Sequence, residues 1–319
     1  MTRLPDPILL ITGTARSGTT LLRNMVAAHP LVAIPEESHF IGEVWRELRL
    51  RGRPEDMALA WELVRRHPHF TSWGADVSTC EAFLTEHPPQ TYGDLARALF
   101  TALALSRGKP MSADKTTHHA LLLPVLAEMF PTSRVIHVLR DPRAVAMSLA
   151  LQPWIRDGIV GAAHTWREHV GRARAAASGL GGRFLEVRYE LLVEDPRREL
   201  DRICQWAALE YHPAMLDVPQ RTEVLTDSVR RAPHHATARG LVVPDPRRWR
   251  EEMSADDVAT VELIAGELMD EVGYPRVAGR PTFKALREIA AYRLAGRCRW
   301  LVRRRWGVEE PGGFWEPTA

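Results

Sequence analysis

The sequence predicts an α/β fold with a central, mostly parallel sheet that is flanked by helices. Short apolar runs alternate with longer segments of helical periodicity, which is typical of parallel sheets buried on both faces. The chain has 319 residues, of which 45% are hydrophobic, enough for one large domain. A glycine-rich loop follows the first apolar run, at the strand end where ligands bind in such sheets.

Five strands are expected, at residues 8–12, 31–34, 110–113, 134–139 and 184–188. The helical patterns between them cover residues 21–28, 120–130, 145–151, 162–178 and 197–208. A later helix is expected from Ala255 to about Val272, with Ser254 as its N-cap and Gly273 just past its end.

Residues 39–108 depart from the strand–helix alternation. Apolar spacing predicts one amphipathic helix near Phe40 to Leu48 and another near Leu95 to Leu103. We interpret this region as a helical insert that shapes a pocket beside the ligand site. The domain is expected to cover residues 1–279, and residues 280–319 are expected to form a basic amphipathic helix and tail.

The first loop has the features of an anion site. Gly13 and Gly18 let backbone N–H groups approach an anion, and the following helix directs its positive end toward it. The glycine spacing matches a nucleoside-triphosphate P-loop, but Thr19 and Thr20 stand where that motif has Lys and Ser/Thr. The cation, Arg16, lies inside the loop instead. A phosphate-like ligand is therefore favoured over a hydrolysed triphosphate, and simple turn and cap chemistry is the alternative.

A second phosphate motif is predicted in mid-chain. The strand over residues 134–139 is followed by Arg140, and Ser148 lies on the next helix. A guanidinium at a strand end and a hydroxyl on the following helix can bind one phosphate together. In the alternative interpretation, Arg140 pairs with Asp141 or Glu190 and Ser148 is a neutral helix residue.

Together the two motifs resemble those of the sulfotransferases that use 3′-phosphoadenosine 5′-phosphosulfate (PAPS). Residues 13–22 look like the 5′-phosphosulfate loop of that family, and residues 135–149 look like its 3′-phosphate motif. Residues 16–25, with Glu36-Glu37 further on, are similar to the opening of the tyrosylprotein sulfotransferases and of many bacterial sulfotransferases. The resemblance covers roughly residues 8–276 and implies a P-loop-like, three-layer fold.

The resemblance continues beyond these motifs. Asp114-Lys115-Thr116 looks like the family's central lysine motif, and residues 188–196 look like a strand-end signature. Residues 248–250 and 272–275 are similar to its C-terminal Lys-Trp segment and closing helix. The Gly-x-x-Gly-x-Trp-Lys loop of the cytosolic members is absent as such, and residues 239–240 or 247–249 are candidates to replace it.

The resemblance implies in-line transfer of a sulfuryl group from PAPS to a hydroxyl or amine. The expected cofactor-binding residues are Arg16, Ser17, Gly18, Thr19, Thr20, Leu21, Arg140, Ser148, Tyr189, Arg248 and Trp249. Arg16 and Lys115 are implied at the departing oxygen, and Glu37 is implied as the general base.

Other interpretations of these residues stay open. Alternatives for the base are Glu36, His39, His118 and His119. Both acids could instead cap the helix that starts near Phe40, and Lys115 could be a surface residue beside Asp114. No metal is expected, because the adjacent histidines at 118–119 and 234–235 lack the spacing of metal ligands.

Composition limits the partners and the compartment. A net charge of +2 does not indicate a nucleic-acid binder. The sequence favours a cytoplasmic location for three reasons. Its three cysteines lie far apart, no signal peptide is recognised, and no apolar run reaches about 18 residues. The arginine-rich helix expected over residues 283–306 has an apolar stripe that either packs on the domain or contacts the inner membrane surface.

The expected acceptor is a glycan, a lipid or a small natural product, and peptide tyrosine is the least favoured. Two further functions share the glycine loop. A P-loop nucleotide kinase would need the lysine that this loop lacks. A non-catalytic nucleotide-binding module would need neither Glu37 nor Lys115.

Overall fold

A computed structural model describes residues 4–217, 245–292 and 294 of the chain. Its five strands form one sheet in the order β2-β3-β1-β4-β5, and every neighbouring pair is parallel. The strands are β1 (Leu9–Gly13), β2 (Val32–Ala33), β3 (Met111–Lys115), β4 (Arg134–Leu139) and β5 (Phe184–Arg188). The predicted α/β fold with a parallel sheet is therefore confirmed.

The helices are α1 (Thr19–Ala27), α2 (His39–Leu50), α3 (Met57–Arg65), α4 (Pro68–Thr71), α5 (Val77–Glu86), α6 (Tyr92–Ser106), α7 (Leu123–Met129), α8 (Pro142–Leu149), α9 (Gly158–Leu180), α10 (Tyr189–Glu194), α11 (Pro196–Ala207), α12 (Trp249–Glu252) and α13 (Ala255–Glu271). Turns of 3₁₀ helix cover Thr117–Leu121, Gly181–Arg183 and Pro213–Leu216. Residues 283–292 are also helical. The helix predicted over residues 120–130 is shorter than expected, since the first of these 3₁₀ turns precedes α7.

The region 39–108 consists of the five helices α2 to α6. Apolar spacing identified α2 and α6 but missed the three shorter helices between them. Local capping explains two of these starts, because Asp56 accepts a bond from the Leu59 amide and Asp76 accepts one from the Thr79 amide, both at 2.9 Å. The expectation of a helical insert agrees with this arrangement.

Contacts divide the described residues into two compact units. The first takes residues 4–13, 18–139 and 173–217 and contains the whole sheet. In its core, Leu9 and Ile11 of β1 and Ile136 of β4 pack with apolar residues of α1 and α11. The second unit takes residues 14–17, 140–172, 245–292 and 294, and a small apolar cluster there joins Ala144, Trp249 and Val258.

The C-terminal helix bears on the two alternatives that the sequence left open for its apolar stripe. The expected apolar stripe included Phe283, Leu286 and Leu294, but these side chains are exposed, Phe283 by 83%. Ala285 and Ile289 are buried instead. Within the described part of this helix the stripe therefore does not pack on the domain, and its contact with a membrane surface stays a prediction. The rest of the stripe, Cys298 and Leu301, lies outside the described residues, and no described helix is long and apolar enough to cross a membrane.

Candidate active site

The turn between β1 and α1 requires glycine at two positions. Gly13 has φ +151° and Gly18 has φ +92°. A Cβ on Gly13 would lie 2.5 Å from the Val138 carbonyl oxygen, and a Cβ on Gly18 would lie 2.1 Å from a ring carbon of Tyr189. The Tyr189 ring therefore packs directly on the backbone where α1 begins. The first N–H groups of a helix have no partner within it. That end of α1 is suited to bind an anion.

The second unit brings the two predicted phosphate motifs into contact. Arg16 Nε donates a hydrogen bond to Ser148 Oγ at 2.8 Å. Arg140 Nη1 donates to the Arg16 carbonyl oxygen at 2.9 Å, and Trp166 Nε1 donates to the Arg140 carbonyl oxygen at 3.0 Å. Arg16 itself has a left-handed backbone with φ +72°, an uncommon conformation for a residue with a side chain. Two guanidinium groups and a hydroxyl are thus held together, as a phosphate site requires.

A buried arginine anchors the start of α8, just after Arg140. Arg143 is 1% exposed and donates to the carboxylates of Asp141 and Glu262, each at 2.7 Å. Its guanidinium lies 3.9 Å from the ring centroid of Trp249. Trp249 therefore stabilises this anchor, and Arg248 pairs with Glu252 on an exposed surface. The cofactor-binding role of Trp249 and Arg248 stays a prediction.

In the first unit, Glu37 and Lys115 form an ion pair. Lys115 is the last residue of β3 and lies beside Ile11 of β1 in the sheet register. Its Nζ donates to Glu37 Oε1, and its side chain is only 5% exposed. Lys115 is therefore not the surface residue of the alternative interpretation. Its ammonium group lies at the same edge of the sheet as the end of β1.

Buried neighbours fix the backbone on both sides of this pair. Ser38 Oγ donates to Asp114 Oδ1 at 2.5 Å, and the Ser38 amide donates to Thr116 Oγ1 at 2.8 Å. Asp114 and Thr116 are fully buried. Because these residues flank Glu37 and Lys115 in sequence, the two charged side chains are held at a fixed separation.

The two adjacent acids have different partners. Glu36 pairs with Arg23 of α1 at 2.9 Å, whereas Glu37 faces Lys115. Burial alone would raise the pKa of Glu37, but Lys115 and then His39 hold the pKa of this carboxyl well below its usual range. Glu37 is therefore ionised at neutral pH in this structure.

Histidines from three segments gather beside Glu37. His39 Nε2 donates to Glu37 Oε2 at 3.0 Å. The His39 ring lies 4.3 Å from the ring of His69 and 5.1 Å from that of His118, measured between centroids. Sequence reasoning considered His39 and His118 but missed His69, because the insert carries no motif that links it to Glu37. His119 is buried elsewhere, with Nδ1 2.9 Å from Asp114.

The remaining predicted residues have distinct positions. Ser17 and Thr19 are buried, Thr20 is exposed, and Leu21 belongs to the apolar core. The ring of Tyr189 is buried against Gly18. The candidates at residues 239–240 and the histidines at 234–235 lie outside the described residues. Among the described residues, no group of three or more His, Cys, Asp or Glu side chains could hold a metal ion.

Comparison with known proteins gives a family. A model of the sulfotransferase family matches residues 7–213. The nodulation protein NoeE of Sinorhizobium fredii is 29% identical over 99% of this chain and 79% of its own length. The omega-hydroxy-beta-dihydromenaquinone-9 sulfotransferase Stf3 of Mycobacterium tuberculosis is 27% identical over 52% of this chain and 42% of its own.

A solved structure supports the fold. The sulfotransferase domain of the Synechococcus PCC 7002 olefin synthase matches 86% of this chain and 97% of its own length. The TM-score is 0.62 and the identity is 23%. The parallel sheet and its helices are therefore shared with that domain.

Proposed function

This chain belongs to the sulfotransferase family, and from that premise we propose that it transfers the sulfuryl group of PAPS to a hydroxyl or amine of an acceptor. The contact between Arg16 and Ser148 is the observation that carries this proposal. It joins a residue of the first anion motif to a residue of the second. PAPS has phosphate groups on two positions of one ribose, so a protein that binds it needs two such motifs.

The residues present fit this donor. Arg140 and Ser148 supply a guanidinium and a hydroxyl for the 3′-phosphate, and the N–H groups from Gly18 to Leu21 are suited to the 5′-phosphate. Any side chain at position 18 would clash with the Tyr189 ring, because its Cβ would lie 2.1 Å from a ring carbon. We assign Gly18 and Tyr189 to the donor site on the family resemblance.

Sulfuryl transfer requires the charge on the departing phosphate oxygen to be neutralised. Lys115 is our candidate for that task, with Arg16. An ammonium group has three N–H donors, so Lys115 can bind an anion while one donor stays on Glu37. The acceptor must also lose a proton. We assign that proton to the cluster around Glu37, the residue that the family resemblance implies as the base.

The acceptor class that we propose is a glycan, a lipid or a small natural product. The relative Stf3 is named for a hydroxylated menaquinone, a lipid-like acceptor. His69 of α4 lies against His39, which contacts Glu37. Helices α2 to α6 are therefore our candidates for the wall of the acceptor pocket. We propose a cytoplasmic location, which matches a small or lipid-linked acceptor better than a secreted peptide.

The function is tested by incubating the full chain with PAPS and a cell extract, and following the bisphosphate nucleotide and any mass shift in the extract. We expect nucleotide release and an acceptor that gains one sulfuryl group. Glu37→Gln is expected to bind the bisphosphate nucleotide normally but to lose most turnover, about 100-fold or more. Magnesium-dependent ATP turnover without PAPS turnover would contradict the proposal and favour the kinase.

A further inference from the structure

The short helix α4 of the insert is anchored by two kinds of contact. His67 stands just before α4, and its Nδ1 accepts a hydrogen bond from the His69 amide at 3.2 Å. Nε2 of His67 lies 2.9 Å from Glu43 Oε2, so both nitrogens of this ring are engaged. Phe70 of α4 is buried and packs against Phe40, with 5.6 Å between the ring centroids. These contacts give His69 a rigid support.

The ring of His69, by contrast, has nitrogens that its neighbours do not use. In the part of the chain that the structure describes, neither nitrogen of this ring hydrogen-bonds to another residue. The residue is partly buried. Burial, and then repulsion by His39, lowers the pKa of His69, so the ring is neutral near pH 7. A neutral imidazole offers one N–H donor and one acceptor nitrogen.

His69 lies beside the proposed site of sulfuryl transfer. Its ring centroid is 4.3 Å from that of His39, and His39 Nε2 lies 3.0 Å from Glu37 Oε2. Glu37 in turn pairs with Lys115. All four residues belong to the same compact unit. His69 is therefore next to the group that we assign to the acceptor, although it stands in none of the sequence motifs.

The chemistry of this ring matches a hydroxyl group. A hydroxyl can both donate and accept, so it can bond to either nitrogen of a neutral imidazole. An anionic group would be matched better by a lysine or an arginine, and an apolar chain would leave both nitrogens without partners. Hydroxyls on adjacent carbons lie close together. Because the rings of His39 and His69 are in contact, one such hydroxyl can face the cluster around Glu37 while the next reaches His69.

We propose that His69 is a specificity-determining residue of this enzyme and that it hydrogen-bonds a second hydroxyl of the acceptor, on the carbon next to the one that carries the reacting hydroxyl. This inference rests on the proposed sulfotransferase function and narrows its acceptor to molecules with a vicinal diol. Sugars have such pairs of hydroxyls, and so do the polyol headgroups of some lipids. A simple lipid alcohol has none.

Two substitutions separate hydrogen bonding from packing. His69→Leu removes both nitrogens, whereas the amide of His69→Gln keeps a donor and an acceptor. With limiting cell extract as the source of acceptor, we expect His69→Leu to lower the rate of sulfuryl transfer by roughly 10-fold, because a hydroxyl of the bound acceptor loses its partner. With saturating extract the loss should be smaller, since the ground state and the transition state both contain this bond. His69→Gln should retain most of the wild-type rate.

His87→Leu is the matched control. The ring of His87 lies at the end of α5, 4.5 Å from that of Phe83 between centroids, and its loss should leave the rate unchanged. All three variants should bind the bisphosphate nucleotide as the wild type does, which shows that they are folded. Equal rates for His69→Leu and the wild type would overturn the proposal. Equal losses in His69→Leu and His69→Gln would also overturn it, because the ring would then matter only for packing.

Periodate tests the acceptor class, because it cleaves the bond between two carbons that carry hydroxyls. The extract is divided into an aqueous and a lipid fraction, and each is oxidised with periodate and reduced with borohydride, so that single hydroxyls replace the diols. Periodate quenched beforehand with ethylene glycol serves as the control treatment. We expect the wild type to transfer sulfuryl groups to a control-treated fraction and to lose this activity after oxidation. Activity in the aqueous fraction would indicate a soluble sugar, and activity in the lipid fraction would indicate a polyol headgroup.

The failures of the two proposals differ in this experiment. Transfer that persists after oxidation would overturn the role of the diol and leave the sulfotransferase function intact. Absence of transfer to both control-treated fractions would contradict the proposed function and this inference with it.

Discussion

At the scale of single residues, the proposed anion site depends on a few charged side chains. Arg140 illustrates this. It donates to the Arg16 carbonyl oxygen and follows β4 directly, so it holds the loop as well as offering a cation. Loss of its guanidinium would remove charge-assisted hydrogen bonds to a phosphate, and each of these contributes about 1.5–3 kcal/mol to binding.

Arg140→Ala is therefore expected to weaken binding of the 3′,5′-bisphosphate nucleotide by roughly 10- to 100-fold, with a smaller effect on the 5′-monophosphate. Calorimetric titration with both nucleotides measures this difference. Arg183→Ala removes a comparable cation that donates to the Ser133 carbonyl oxygen before β5, and it should change neither affinity. Equal losses for both nucleotides in Arg140→Ala would show that this residue does not recognise the 3′-phosphate.

At the scale of elements, the turn from β1 to α1 depends on glycine more than on any side chain. Gly18 combines a positive φ with a buried tyrosine ring against it. Gly18→Ala is therefore expected to lower the melting temperature and to weaken nucleotide binding. Gly52→Ala is the matched control, because Gly52 has φ +65° but nothing within 4 Å of its Cβ position. The Gly52→Ala substitution should lower the free energy of unfolding by only about 1–2 kcal/mol.

The double variant Gly18→Ala with Tyr189→Ala separates the contact from the backbone strain. Removing the ring should restore part of the stability lost in Gly18→Ala, so that the two substitutions are not additive. Strict additivity in thermal unfolding would mean that Tyr189 does not restrict residue 18.

Elements with strong local signals were predictable from the sequence, and those fixed by distant contacts were not. β4 and β5 have the predicted bounds, because apolar residues predominate in each of these short segments. The sequence also predicted roles for Glu37, Lys115, Arg16 and Arg140, and the structure places Glu37 against Lys115 and Arg16 against Ser148. Those roles stay predictions. The approach of His69 to His39 was not, because it depends on how the insert folds back onto α2. The partner of the apolar stripe in residues 283–292 was left open between the domain and a membrane surface, because an apolar spacing does not say which partner the stripe contacts.

At the scale of the whole molecule, we propose that residues 283–306 contact an anionic membrane surface. Exposed Phe283 and Leu286 stand beside Lys284 and Arg287 in the described part of this region. From Lys284 to Arg305 the sequence has one lysine, seven arginines and one acid. Apolar side chains beside cations favour insertion at a surface of acidic lipids.

Phe283→Ser with Leu286→Ser is expected to reduce co-sedimentation of the full chain with phosphatidylglycerol vesicles several-fold, because it removes the inserting side chains but no charge. Since both residues are exposed, the melting temperature should change little.

Leu50→Ser is the control. Leu50 is 56% exposed at the end of α2 and lies outside the C-terminal helix, so its loss should leave vesicle binding intact. Binding by the wild type should weaken as salt rises and should be absent with neutral lipids. Equal sedimentation of the double variant and the wild type would mean that this face is not inserted, and that any attraction comes from the arginines alone.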